Sequence, residues 1–273
     1  MLNQKSITAI LVLFCIVLFD ANFRSQHYVI EAEEKDNNSN PLSSQEGIER
    51  KLSEKEIINI IKNNDVSKIG IIKKLFENSN EEVTKTLYAA ILWRLGEREN
   101  LYWEYLVSKS IQAVESDMPH PLYFDDDKGK FVRGKHNPEF LDWCARNNVD
   151  IPLATTRYIC IYPAIIEYLG LSGDKRGLNI IIRALESKNL HIVLAATNAL
   201  GILNDNRGID YIINTCRKYP EYSVIMARSL AYIDNPKAHE ALKEFILDEK
   251  FVESLKEDAE KKDYGFVLYI FIE

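Results

Sequence analysis

The chain has 273 residues, of which 46% are hydrophobic and 27% are charged, and its formal net charge is −7. These values are typical of a soluble globular protein with one or two domains. The acidic balance argues against a protein dedicated to nucleic acid, because such proteins carry a basic face. We therefore expect no nucleic acid among the partners.

The N-terminal segment 1–21 has the pattern of a secretory signal peptide. Lys5 precedes an apolar run at residues 7–19, and the helical length of that run, roughly 20 Å, is short of the ~30 Å core of a bilayer. Ala21 offers a small residue before a cleavage point, whereas Phe19 is bulkier than the residue preferred two positions earlier. We expect an exported protein, periplasmic or extracellular. The alternative is a membrane anchor formed by an uncleaved segment 7–19.

Residues 22–53 are predicted to form a disordered linker, because this segment is polar and has too few apolar residues to offset its ordering entropy. Helical periodicity begins near Ser53 and continues through residues 54–265. Gly96 ends one of the predicted helices, as glycine often does. Cysteines in segments with helical patterning indicate buried free thiols rather than a disulfide framework. They are Cys144, Cys160 and Cys216.

One short pattern occurs three times between residues 164 and 247. Leu169–Gly177 returns as Leu200–Gly208 and, less clearly, as Leu230–Ala238, in steps of 31 and 30 residues. Such a period is typical of a helix-pair repeat. Asp174 and Asp205 stand where a helix needs an N-cap acceptor, and an arginine follows each of them two residues later. Neither helix of a pair can bury its apolar face alone, so neighbouring pairs are expected to stack.

Through Ala195–Gly201 and Asn204–Gly208, with their counterpart at Leu169–Gly177, the chain resembles the HEAT-like repeat family. The resemblance implies an all-α fold, a short right-handed α-solenoid of HEAT-like helix pairs over residues 54–265. It also implies a protein-binding or scaffolding role, because such solenoids offer an extended concave surface. The family often has arginines early in the second helix, where this chain has residues such as Val193 and Leu194.

An irregular insertion is predicted at residues 117–150. Leu95 and Leu169 are 74 residues apart, against about 30 between the later copies, and 117–150 is the least helix-like part of this interval. Apolar and aromatic residues on both sides of the turn 125–130 favour a β-hairpin with an acidic turn. Asn137 and Pro138 are typical of a helix start, as cap and first-turn residue. An insertion on a solenoid often lies on its binding face.

Aromatic residues in and near this insertion are the candidate partner-binding site. We predict contacts to a protein partner, of unknown identity, through Tyr123, Phe124, Arg133 and Trp143, since aromatic residues and arginine are common in interface hot spots. The alternative is that the aromatic side chains form a small core of the insertion against the helices.

The sequence contains no recognised catalytic or metal-binding motif, so we predict no cofactor and no metal site. Starting at Asp125, the spacing of a calcium-binding loop fails, because Gly129, Lys130 and His136 occupy positions 5, 6 and 12. No nucleophile elbow, phosphate-binding glycine loop or zinc-ligand pair spacing occurs. The function predicted is therefore an exported, non-catalytic protein–protein interaction or scaffold module.

Two alternative functions remain open, and the C-terminal segment has its own prediction. An enzyme of unrecognised class would place its site between insertion and helices, and an envelope structural protein would stay anchored through residues 7–19. The apolar run at 266–273 is predicted to cap the last repeat, or else to dock on another protein. The enzyme alternative rests on Asp125, Asp126, Asp127, His120 and His136.

Overall fold

A computed structural model describes residues 52–260, except 126, 128 and 129 in the hairpin turn. The predictions for residues 1–21, for the linker up to residue 51 and for the C-terminal run 266–273 lie outside this part. The described residues are mostly helical, with one two-stranded sheet, so the expected all-α class is confirmed at this level. None of the helices within 52–260 combines the length and the apolar character needed to cross a bilayer.

The elements follow one another in a regular order. The helices are α1 (Glu54–Asn63), α2 (Ile69–Asn78), α3 (Glu82–Arg94), α4 (Asn100–Val114), α5 (Pro138–Asn147), α6 (Ile151–Thr156), α7 (Tyr162–Leu171), α8 (Leu178–Ala184), α9 (Leu190–Leu203), α10 (Ile209–Lys218), α11 (Ser223–Ala227), α12 (Pro236–Phe245) and α13 (Glu249–Glu260). The strands β1 (Leu122–Asp125) and β2 (Lys130–His136) lie between α4 and α5. Short 3₁₀ turns precede α2, α8 and α10, and a longer one, Arg228–Tyr232, follows α11.

Side-chain caps begin several helices, including the cap predicted at Asn137. Ser53 begins α1 with a capping box, in which its hydroxyl accepts from the Glu56 amide and Glu56 accepts from the Ser53 amide at 2.8 Å. Asn137 caps α5 by accepting from the Glu139 amide at 3.0 Å, with Pro138 in the first turn. These contacts satisfy amide groups that a helix N-terminus leaves without partners.

One turn geometry occurs before α2, α8 and α10. A residue with positive φ comes first, then an aspartate whose side chain accepts from the amide two residues later, then a 3₁₀ turn. The predicted caps at Asp174 and Asp205 are confirmed, with distances of 2.9 and 3.0 Å to those amides. The turn at Asp65, with 3.1 Å, is a further copy that the sequence analysis did not single out. The positive-φ residues are Asn64, Gly173 and Asn204.

The glycine at the end of this turn packs against the leucine at the end of the preceding helix. A Cβ added to Gly177 would lie 3.0 Å from the Leu169 side chain, and one added to Gly208 would lie 3.3 Å from Leu200. Both distances are tighter than ordinary side-chain contacts. In these two turns the leucine and the last glycine of the repeated pattern are packing partners, whereas the turn at Asp65 has Lys68 at the glycine position.

The interval between Leu95 and Leu169 contains α4, the two strands, α5, α6 and the start of α7, and α4 packs against α7. Helices α3 and α7 pack directly against each other despite the intervening insertion. The Trp93 indole donates to Asp174 at 2.9 Å, and the Arg94 guanidinium donates to the Leu171 carbonyl at 3.0 Å. The insertion therefore does not separate the first helices from the later ones.

A π-helical turn, Arg157–Ile161, connects α6 to α7 without a break. The Tyr162 amide donates to the Arg157 carbonyl there, and Pro163 follows in the first turn of α7. Proline has no amide donor, and local π geometry is one way for a helix to accommodate it. The Tyr158 carbonyl in this turn accepts from the Asn189 side chain at 2.7 Å, which ties the turn to the start of α9.

Candidate functional site

The hairpin of β1 and β2 is antiparallel and irregular. Phe124 pairs with Phe131 and Leu122 pairs with His136, so β1 advances by two residues where β2 advances by five. The extra residues of β2 form a bulge that includes Gly134, whose φ of 76° is in the left-handed region. Neither strand makes extensive backbone contact with any helix. The predicted hairpin is thus confirmed, and its position leaves much of it accessible.

Phe124 and Phe131 form an exposed aromatic pair on one face of the hairpin, which we call the hairpin face. Their rings meet edge to face, with centroids 5.1 Å apart, and they are 42% and 47% exposed. As cross-strand partners they project from the same side of the sheet. Phe124 is one of the predicted site residues, whereas Phe131 is not. The alternation of side chains along β2 is the sequence signal that would have identified Phe131 as well.

Tyr123 and Lys135 form a second contact on the hairpin. The Lys135 ammonium lies 3.5 Å from the centroid of the half-buried Tyr123 ring, a cation–π arrangement. Arg133 belongs to β2, and its side chain lies outside the described atoms. Tyr123 and Phe124 are consecutive residues of β1, so their side chains point to opposite faces of the sheet and do not form one surface.

Trp143 is placed differently. Its side chain is only 7% exposed, and its indole donates to Asp117 at 2.7 Å. Phe140, one turn earlier on α5, is fully buried. Trp143 therefore belongs to the packed interior and not to the exposed face, which corrects its assignment as a contact residue. The aromatic residues of the insertion divide between the two alternatives, since some form a core and others are exposed.

At the base of the hairpin, two histidines lie on either side of Tyr158. The His120 ring stacks on Phe131 at 4.0 Å and meets Tyr158 edge to face at 5.3 Å, and the His191 ring meets Tyr158 at 6.4 Å. The His120 Nδ1 accepts from the Leu122 amide at 3.1 Å. This cluster joins the insertion to the π-helical turn and to the first turn of α9.

The cluster is desolvated and electrically neutral near pH 7. Burial, with a smaller effect of His120, lowers the pKa of His191 to about 4. Burial also lowers the pKa of His120 and raises the pKa of Tyr158 to about 12. Within residues 52–260, neither His120 nor His191 hydrogen-bonds to a side-chain hydroxyl or thiol. The arrangement therefore does not assemble a nucleophile with its base.

The other residues of the enzyme alternative include His136 and the aspartates of the hairpin turn. His136 remains within the insertion, where its Nδ1 lies 3.3 Å from the Pro121 carbonyl and its ring faces Phe140. Asp125 and Asp127 lie at the hairpin turn, and Asp126 is outside the described residues. In the part of the chain that the structure describes, no group of three histidine, cysteine or acidic side chains is arranged to hold a metal ion.

The three described cysteines are free thiols. Burial raises the pKa of Cys160 to about 11 and that of Cys216 to about 12, and it also raises the pKa of Cys144. A thiol with a raised pKa is a poor nucleophile at neutral pH, because the thiolate is the reactive form. Cys144 and Cys216 fill space in the packed interior, whereas Cys160 is half-buried.

No family model, curated protein or solved structure matches the chain.

Proposed function

We propose that this chain is a non-catalytic protein-binding module, in which a short right-handed α-solenoid of HEAT-like helix pairs holds the hairpin in place. Direct contacts of α7 with both α3 and α9, and of α9 with the turn Arg228–Tyr232, support the stacked arrangement. The same turn geometry at Asp65, Asp174 and Asp205 supports the repeat. Repeats of this kind are rigid enough to present a protruding element to a partner.

The observation that carries the proposal is the exposed pair Phe124 and Phe131. Two large aromatic rings, each more than 40% exposed, stand together on an element with few contacts to the helices. Exposed aromatic residues that converge on one surface often mark a protein interface. Because less than half of each ring is exposed, burying the exposed part stabilises a complex by about 1 kcal/mol per ring before the costs of association are counted.

The test substitutes the hairpin face in the full chain. Phe124→Asp and Phe131→Asp place a carboxylate where a partner would bury a ring, so we expect each to lower partner capture at least about tenfold. Capture is measured by chemical cross-linking in the native host, followed by mass spectrometry of the purified complexes. Tyr211→Asp is the matched control, because Tyr211 is 44% exposed on α10, away from the hairpin. If Phe124→Asp and Phe131→Asp both capture partners as well as the unmodified chain does, the proposal is wrong.

Export is the second part of this proposal and rests on segment 1–21 alone. A cleaved signal peptide gives a periplasmic or extracellular protein, and an uncleaved one leaves a membrane anchor at 7–19. The mass of the mature chain distinguishes the two outcomes. A full-length chain in the cytosolic fraction contradicts both.

A further inference from the structure

The base of the hairpin is attached on two sides. On the side of α5, the Pro121 carbonyl accepts from the Asn137 amide at 3.0 Å, and α5 itself is anchored by the fully buried Phe140. On the side of the helix pairs, the His120 ring meets Tyr158 of the π-helical turn edge to face. The first attachment includes a backbone hydrogen bond and a packed helix, whereas the second depends on a contact between two rings.

The second attachment belongs to a group of rings that we call the histidine cluster, made of His120, Phe131, Tyr158 and His191. The His120 ring is stacked on Phe131 of β2 at 4.0 Å and lies 5.3 Å from Tyr158. His191, in the first turn of α9, meets the same Tyr158 ring at 6.4 Å. The cluster therefore joins β2, the π-helical turn and α9, and two of its rings can take up a proton.

Charged side chains of the neighbouring elements do not compensate a charge in this cluster. Arg157 of the π-helical turn lies 4.0 Å from Glu82, and Lys135 of β2 lies over the Tyr123 ring. Lys188, just before α9, is exposed. Among the described residues, no carboxylate contributes to the pKa of either histidine of the cluster.

The other titratable groups of the π-helical turn are neutral near pH 7. Burial raises the pKa of Tyr158 to about 12 and that of Cys160 to about 11. A protonated histidine in this cluster would therefore be a charge without a counter-charge, in surroundings with little water.

Protonation of the two histidines is unfavourable while the hairpin is attached. Burial lowers the pKa of His191 to about 4 and also lowers the pKa of His120, from an ordinary value of 6.5. A protonated His120 Nδ1 can no longer accept from the Leu122 amide, and two protonated rings beside Tyr158 would repel each other. A cation–π contact with Phe131 opposes these effects, but it acts on His120 alone.

We propose that the histidine cluster holds the hairpin at neutral pH and releases it in mild acid. Protonation of His120 and His191 moves the hairpin away from the π-helical turn, while the hairpin remains attached to α5. The attached arrangement is fully favoured above pH 6.5, the ordinary pKa of histidine, and is lost as the pH falls towards 4. The inference rests on the proposed function, because release would leave Phe124 and Phe131 without a fixed position for a partner.

Hydrogen–deuterium exchange of the full chain at pH 7 and pH 5 tests the release. Exchange is expressed as protection factors, which remove the intrinsic effect of pH on amide exchange. Because a two-stranded hairpin alone is only marginally stable, we expect the protection of residues 122–136 to fall at least about tenfold at pH 5. Peptides of α9 should lose much less. Unchanged protection of the hairpin overturns the inference, and so does an equal loss in α9.

Two variants remove one titration each. His120→Phe and His191→Phe both keep a ring against Tyr158, so each should reduce the loss of hairpin protection at pH 5 at least about threefold. Tyr211→Phe, at an exposed position of α10, is the control. Circular dichroism at pH 7 identifies which variants are folded, and either of the two is sufficient. If a folded variant loses as much protection as the unmodified chain, the histidines do not control the release.

Partner retention distinguishes this inference from the proposed function. Complexes isolated at pH 7 are washed at pH 7 or pH 5, and we expect less retained partner at pH 5, with a smaller difference for His191→Phe. If Phe124→Asp lowers capture at pH 7 but hairpin protection does not change with pH, the release is wrong and the proposed function stands. If protection changes with pH but neither phenylalanine variant affects capture, the release stands and the hairpin face is not the binding surface.

Discussion

Gly170 of α7 lies against Ala199 of α9 so closely that a Cβ on Gly170 would stand 2.5 Å from the Ala199 carbonyl oxygen. The same relationship returns one repeat later, where a Cβ on Gly201 would stand 2.5 Å from the Ser229 carbonyl oxygen. Real Cβ atoms do not approach backbone atoms this closely, so the two glycines set the distance between neighbouring helices. This contact explains why glycine follows leucine in the clearest copies of the repeated pattern.

We predict that Gly170→Ala lowers the free energy of unfolding by about 1–3 kcal/mol, because the backbone of α9 has to move away from the added methyl group. Urea denaturation followed by circular dichroism measures the change. Gly70→Ala is the control, since Gly70 is an exposed residue of α2 with nothing within 4 Å of an added Cβ. There the substitution is expected to be neutral or to stabilise by up to about 1 kcal/mol. Equal effects at the two positions would contradict this explanation.

Asn198 connects two repeats inside the protein. Its amide donates to the fully buried Glu167 at 2.9 Å, and its carbonyl oxygen accepts from the Ser229 hydroxyl at 3.1 Å. Each step spans 31 residues, so these polar groups form a ladder along the second helices. Such groups avoid the cost of burial only while their hydrogen bonds are made.

Substituting Asn198, at the centre of this ladder, should therefore destabilise the folded protein. We predict that Asn198→Ala lowers the free energy of unfolding by about 2–4 kcal/mol, because Glu167 and Ser229 each lose a hydrogen bond in a buried environment. Asn214→Ala, at an exposed position of α10, should change it by less than about 0.5 kcal/mol. Thermal unfolding of the two variants compares them, and similar melting temperatures would rule out an energetic role for the ladder.

His191 should make the protein less stable in mild acid. Burial lowers the pKa of His191 to about 4 in the folded chain, from its ordinary value of 6.5, so the unfolded chain binds the proton more tightly. The stability that depends on a neutral His191 is full above pH 6.5 and is lost as the pH falls towards 4. Protonation of His120 and His191 beside Tyr158 would weaken the attachment of the hairpin to the helices.

The variant His191→Phe keeps a ring against Tyr158 and removes the titration. We expect its melting temperature to fall less between pH 6.5 and 4 than that of the unmodified chain, a difference of the order of 1 kcal/mol in unfolding free energy. Tyr211→Phe is the control, because it introduces a phenylalanine at an exposed position of α10 away from this cluster. Parallel curves for all three proteins would contradict the prediction.

Asp205 should control stability in a more acidic range. Hydrogen bonds from Arg207 lower the pKa of Asp205 to about 2 from its ordinary value of 3.8, although burial acts in the opposite direction. The stabilising ion pair is therefore complete above pH 3.8 and is lost as the pH falls through 2. Asp205→Asn retains a capping side chain and removes the charge, so it should lower the free energy of unfolding at pH 7 by up to about 2 kcal/mol.

Asp65→Asn provides the matched comparison for that variant. Asp65 caps the same turn before α2, but Ser67 stands where the later copy has Arg207. A hydroxyl hydrogen bond replaces the charged pair there, so the loss on substitution should be smaller. Denaturant titrations at pH 7 and pH 2.5 separate the two effects. A larger loss from Asp65→Asn would refute the assignment to the ion pair.

Features set by a few neighbouring residues were predictable from the sequence. The caps at Ser53, Asn137, Asp174 and Asp205 depend on hydrogen bonds within two or three residues. The hairpin depends on two short apolar runs on either side of a polar turn. The copy of the turn at Asp65 was missed because Ser67 replaces the arginine that made the other copies recognisable.

Exposure and convergence of the site residues were not predictable in the same way. Trp143 is buried because its indole meets Asp117, 26 residues earlier in the chain. Phe131 stacks on His120, and His120 reaches Tyr158 and the neighbourhood of His191, only because the insertion folds back onto the π-helical turn. Side-chain patterning indicates that these residues are aromatic or titratable, but burial depends on which distant elements meet.

The sequence by itself determined the helical class, the 30–31-residue repeat and the turns that end each copy, because these follow from local hydrogen bonding and from the spacing of apolar residues. Only the tertiary structure decided that α3 packs on α7 across the insertion, with Trp93 bonded to Asp174, and that Phe124 and Phe131 remain exposed while Trp143 does not. The physical reason is that a side chain is buried by residues that are distant in the chain. Whether those residues come into contact depends on how all the elements pack.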